Sequence, residues 1–158
     1  MPSYPPPSRN IACRSLATKV RVYTKAASLG AGPIVAELHG LPEYAASLAQ
    51  HEDIATLRAL GKEVDKWLRE LHAPAEALLL VAKLRSAGVD EEHLPVLPAA
   101  KKLRSIAERG SIRSKSEADL TRSVLANTEL SKRLQAVNSR LRVALAAWHT
   151  RGKPYAEA

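Results

Sequence analysis

The sequence predicts an all-α protein: a small bundle of five to six helices and, after it, a long carboxy-terminal helix of coiled-coil character. Three observations lead there. Ala and Leu supply most of the apolar content, while Phe is absent and the aromatic residues are two Trp and four Tyr. Ala and Leu lose little side-chain entropy in a helix, whereas strands draw on aromatic and β-branched residues. Apolar residues recur at three- and four-residue intervals along most of the chain. Gly and Pro fall between those segments, where helices stop and start. A chain of 158 residues is long enough for one domain with its own core and a helical extension.

Taken in order, the elements begin after a Pro-rich arm, residues 1–10, which the prolines keep extended and mobile. A helical domain over 11–110 follows. Its first helix runs from about Ile11 to Ser28, with Leu16, Val20 and Tyr23 at helical spacing, and Gly30-Ala31-Gly32 ends it. Pro33 opens a short helix, Ile34 to His39, and Leu41-Pro42-Glu43 opens the next. The helix from about Glu52 to Leu71 has the clearest stripe: Ile54, Leu57, Leu60, Val64, Trp67, Leu68 and Leu71. Pro74 begins a helix that is apolar on all sides at Leu78-Leu79-Leu80-Val81, as a central element would be, and Gly88 closes it. After Pro95 and Pro98, a helix from about Ala99 to Arg109 ends at Gly110.

Residues 111–115 are expected to be a basic linker, 116–151 one uninterrupted helix capped at Ser116, and 152–158 a tail beyond Gly152. With Leu120 at a heptad a position, the a series is Leu120, Asn127, Leu134, Leu141 and Trp148; the d series is Ser123, Leu130, Val137 and Ala144. That spacing reads as a coiled-coil seam, and Asn at an a position selects register in a two-stranded coil. Leu120, Asn127, Leu130, Leu134, Val137, Leu141 and Trp148 are therefore the expected self-association residues of a homodimer; the alternative, packing within the chain's own bundle, rests on Ser123 as a poor d residue and on Val124, Leu125, Val143 and Leu145 lying off the seam. Arg133 and Arg140 fall at g with no acidic e residue to answer them, so interhelical salt bridges are not their task.

Charge is uneven along the chain. Residues 1–40 hold five Lys/Arg against one acidic residue, residues 41–100 six against ten, and residues 101–158 thirteen against five. Both ends would attract a polyanion through phosphate neutralisation and counterion release. The expected nucleic-acid-binding residues are Arg9, Arg14, Lys19 and Arg21 at one end. At the other they are Lys101, Lys102, Arg104, Arg109, Arg113, Lys115, Arg122, Lys132, Arg133, Arg140 and Arg142. Such contacts hold DNA or RNA by its phosphates without reading its sequence.

Catalytic and metal signatures are wanting. The five histidines form no His-x3-His pair, and Glu91-Glu92-His93 reads as a solvated acidic turn because adjacent residues do not share a helix face. Leu29-Gly30-Ala31-Gly32-Pro33 lacks the Lys-Ser/Thr of a phosphate loop, and Cys13 has no local histidine to activate it. Neither a cofactor nor a metal is expected. Ala36, Gly40 and Leu41 have the spacing of a helix-turn-helix, but the second helix opens Pro42-Glu43-Tyr44 with no cation before Arg58, so two core helices meeting at a turn is the better reading.

The longest apolar run, Ala77 to Ala82, is far short of the roughly 20 residues a membrane span needs. The acid-poor segment before Glu37 has the composition of a transit peptide, yet Pro2, Pro5, Pro6 and Pro7 disfavour a helix at the first residues, and no apolar core marks a secretory signal. The resulting expectation is a cytoplasmic, non-enzymatic accessory protein associated with nucleic acid. The alternative is an adaptor or inhibitor that docks on a protein partner through its long helix and acidic middle.

Overall fold

The computed structural model describes residues 7–29 and 40–156. The described elements are α1 (Pro7–Leu29), α2 (Leu41–Gln50), α3 (Ile54–Glu70), α4 (Pro74–Ser86), a 3-10 turn (Glu91–His93), α5 (Pro98–Arg109), α6 (Lys115–Ala126), α7 (Thr128–Arg133) and α8 (Gln135–Ala156). No strand occurs among the described residues, and none of their helices is long and apolar enough to cross a membrane. The expected short helix Ile34–His39, the first half of the helix-turn-helix spacing and the Gly30–Gly32 segment lie outside the described residues.

The chain forms two compact units: residues 1–72 with 80–95, and residues 73–79 with 96–158. Helix α4 contributes its first turns to the second unit and the remainder to the first. The expected boundary at 110 is not where the chain divides. Helix α5 clusters with the carboxy-terminal helices, because Leu103, Ile106 and Ala107 on its apolar face bury against their core.

In the first unit, α1 packs on α2 and α3, and α2 on α3. Pro7 opens α1 four residues earlier than the apolar spacing suggests; a first-turn proline has no amide to lose and its fixed φ suits the helix. Cys13, Leu16, Val20 and Tyr23 are buried along one stripe of α1. Helix α3 answers with buried Leu57, Val64 and Leu68. Its amino terminus is capped by Asp53, whose side chain accepts the Thr56 amide at 3.2 Å, a contact worth about 1 kcal/mol. Trp67 stacks on Tyr23 with ring centroids 5.9 Å apart, and the Tyr23 hydroxyl lies 2.9 Å from His72 Nε2.

In the second unit, α8 packs against α5 and α6, with α7 between α6 and α8 in the chain. Gly110 ends α5 at φ 73°, a left-handed conformation that an L side chain strains. The cap of α6 is Ser114, two residues before the expected Ser116; its Oγ accepts the Glu117 amide at 3.2 Å.

The single helix expected over 116–151 is three helices. Asn127 and Leu134 interrupt it. The Asn127 side chain leaves the seam and accepts the Leu130 amide at 3.0 Å, so it caps α7 rather than setting a coiled-coil register. The folded-back chain then buries its own seam: Leu120, Leu130, Leu141 and Ala144 lie in one core with Ile106, Ile112 and Val124, and Leu134, Val137 and Trp148 pack partly buried against it. Helix α8 continues past Gly152, its expected stop, to Ala156.

Candidate nucleic-acid interface

Burying the apolar stripes pushes the cations outward, but unequally between the units. The first unit combines the basic amino-terminal region with most of the acidic middle: eleven Lys/Arg against ten Asp/Glu, a net of +1. The second has thirteen against six, a net of +7. Nearly all of the chain's +8 therefore sits on one unit.

On α5 the apolar face fixes where the charges point. With Leu103, Ile106 and Ala107 buried, Lys101, Lys102 and Arg104 are exposed. Lys102 Nζ lies 3.4 Å from Ser116 Oγ, which brings the exposed face of α5 beside the start of α6, where Arg113 and Lys115 are also exposed. Around the chain from there, Arg122, Lys132, Arg133, Arg140 and Arg142 are exposed as well. Some have partners of their own: Arg122 pairs with Asp119 at 2.9 Å, Arg133 with Glu129 at 3.6 Å, and Arg142 donates to Asn138 Oδ1 at 2.9 Å. Arg140 lines an open cleft of about 460 Å³ with Glu108, Gly110, Ser139 and Val143.

Arg109 has a different task. Its side chain is only 23 % exposed, and its guanidinium donates to both Glu117 carboxylate oxygens and to the Ser111 carbonyl, at 2.9 Å for Nη2. The same carboxylate accepts the Arg113 amide at 3.1 Å. Glu117 and Arg109 thus fasten the turn where a basic linker was expected.

Of the expected amino-terminal contacts, Arg14 and Arg21 are exposed and line a groove of about 340 Å³ between α1 and α2, with Thr18, Pro42, Ala46 and Ala49. The Arg9 side chain lies outside the described residues. Lys19 is not available to phosphate: it is 2 % exposed and its ammonium lies 2.6 Å from Asp65 Oδ1. The spacing Leu16, Lys19, Val20, Tyr23 already places it on the buried stripe.

Comparison of the chain with protein-family models, with curated proteins and with solved structures returned no match.

Proposed function

We propose that the protein is a nucleic-acid-associated accessory protein whose second unit holds DNA or RNA by its phosphates. The supporting observation is the concentration of charge: of the twelve Lys/Arg in that unit whose side chains are described, all except Arg109 are exposed, against a nearly neutral first unit. A surface of this kind gains affinity by releasing condensed counterions. Among its described residues it carries no platform of exposed aromatic rings for base stacking, so its contacts are with backbone and its binding is insensitive to sequence.

The test is binding of the full chain to an arbitrary duplex and to single-stranded RNA across a salt series. Affinity falls steeply with salt, and reversing Lys101, Lys102 and Arg104 to Glu flattens the slope of log K against log salt on duplex DNA by roughly 0.9 for each phosphate no longer neutralised. Reversing Arg58, Lys62 and Lys66, which are exposed on α3 of the first unit, changes net charge by the same amount and leaves the slope nearly unchanged. Equal effects of the two triple variants, or no binding at low salt, would overturn the proposal.

A further inference from the structure

We propose that Asp90, Glu92 and His93 bind a divalent first-row transition-metal ion, with Ser15 as the residue that orients the imidazole. Adjacent residues fail to converge on an α-helix, but this segment is a 3-10 turn, in which side chains three apart eclipse. Asp90, whose own backbone is extended, immediately precedes the turn, three residues before His93. One ligand atom from each of Asp90, Glu92 and His93 lies within 4.8 Å of the other two. Glu91 is not part of the group, because its carboxylate turns away to Arg85.

The histidine carries the argument. Its side chain is 11 % exposed, Nδ1 lies 3.0 Å from Ser15 Oγ, and Nε2 has no hydrogen bond; the nearest opposite charge is Glu92 Oε1 at 3.8 Å. Ser15 comes from α1, is itself 5 % exposed, and also accepts the Asp90 amide at 2.9 Å. A hydroxyl oxygen has two lone pairs, so Ser15 can accept from both the Asp90 amide and Nδ1–H. With Nδ1–H donating to Ser15, the Nε2 lone pair is left free, 3.8 Å from Glu92 Oε1. An imidazole pinned by a hydrogen bond through one nitrogen, with the other left for the ion, is how metal-ligating histidines are held.

One imidazole and two carboxylates suit zinc, manganese, cobalt or nickel; calcium asks for six to eight oxygens. Bond lengths near 2.1 Å need ligand atoms about 3.4 Å apart, so the group closes by roughly an ångström on binding. Glu92, with 74 % of its side chain exposed, is free to make that movement. Three protein ligands leave the remaining coordination positions to water.

The experiment is a calorimetric titration of the untagged full chain with Zn²⁺, and with Co²⁺ to follow ligand-field absorption. The wild type binds one ion per chain, and Glu91→Gln binds it unchanged. His93→Ala weakens binding at least about tenfold, and Ser15→Ala by about 10–100-fold, the range for loss of a group that orients a ligand. If His93→Ala does not fold, the double variant Asp90→Asn/Glu92→Gln, which changes only side chains open to solvent in whole or part, decides the matter by the same loss. Absence of Zn²⁺ binding by the wild type, or wild-type affinity in the foldable variants, would overturn the site.

Discussion

The Lys19 ammonium lies 2.6 Å from Asp65 Oδ1, joining α1 to α3 inside the first unit with 2 % of the lysine side chain exposed and 22 % of the aspartate. The contact is close enough for an ion pair but lacks the direction of a hydrogen bond, so Asp65 Oδ1 is held by charge alone. Removing one partner strands the other. Asp65→Asn leaves a buried ammonium and is expected to cost about 3 kcal/mol, whereas the double variant Lys19→Met/Asp65→Asn, which removes both charges and so leaves neither the ammonium nor the buried Oδ1 carboxylate stranded, costs much less. Urea denaturation midpoints of the two variants check the asymmetry.

Gly61 lies in the middle of α3, buried against side chains of α1. A Cβ there would meet Leu16 Cδ2 at 3.1 Å and Lys19 Nζ at 3.6 Å. A glycine inside a helix normally weakens it by roughly 1 kcal/mol relative to alanine, so the close approach is the reason for its presence. Gly61→Val, which adds two methyl groups where one carbon is already tight, destabilises the protein by about 1–3 kcal/mol, measurable in the same denaturation series.

Asn127 serves as a cap, and substitution distinguishes that from a coiled-coil role. Asn127→Leu would strengthen a two-stranded seam and favour other oligomers. Here it removes the side chain that accepts the Leu130 amide, and the expected result is a loss of about 1 kcal/mol with no change of oligomeric state by sedimentation.

Leu141 is fully buried in the core of the second unit. Leu141→Ala is expected to cost about 3 kcal/mol, the range for emptying a core leucine site. Because the contacts are made within the chain, the fall in Tm is independent of protein concentration; a concentration-dependent fall would mean that this leucine packs between chains.

The Arg85 guanidinium, hydrogen-bonded to Glu91, holds the Glu91 carboxyl below the ordinary glutamate range, outweighing a small opposing effect of burial, and its charge acts in the same sense. A carboxyl whose folded pKa is depressed contributes stability above its unfolded pKa and loses it as pH falls through the folded value. Arg85→Ala is therefore expected to raise the Glu91 pKa toward that of a free glutamate, read from the side-chain carbonyl carbon in an NMR titration. Since both groups are on the surface, the accompanying change in stability is small.

Much of the fold is legible from spacing. The bounds of α3 fall within two residues of the expected Glu52–Leu71, because Asp53 caps it and its stripe is unbroken. The interruption of the carboxy-terminal helix is not, since a three-four repeat is the same whether the helix runs on or folds back on itself. Asn127-Thr128-Glu129, a capping residue followed by a first-turn acid, is the signal that marks it. Charge alone makes Lys19 a phosphate contact, whereas its position between Leu16 and Val20 argues for burial. The basic surface keeps its carboxy-terminal half, while the amino-terminal half joins a unit whose acids offset it. The grouping of Asp90 with His93 depends on Ser15 of α1, 75 and 78 residues away in the chain, whose hydroxyl bonds both the Asp90 amide and His93 Nδ1, and no local spacing signals it.

The passage of α4 through both units determines how the protein can be taken apart. A cut after His72 would deprive the first unit of Leu80, Val81, Leu84, Val89 and Leu94, while a cut after Pro95 would deprive the second of Ala75, Leu78 and Leu79. No single break in the chain yields two complete halves. On the ribosome, the first unit waits for residue 95 before its last buried side chains exist, by which time a segment belonging to the second has already emerged. Recombination at a single point meets the same obstacle.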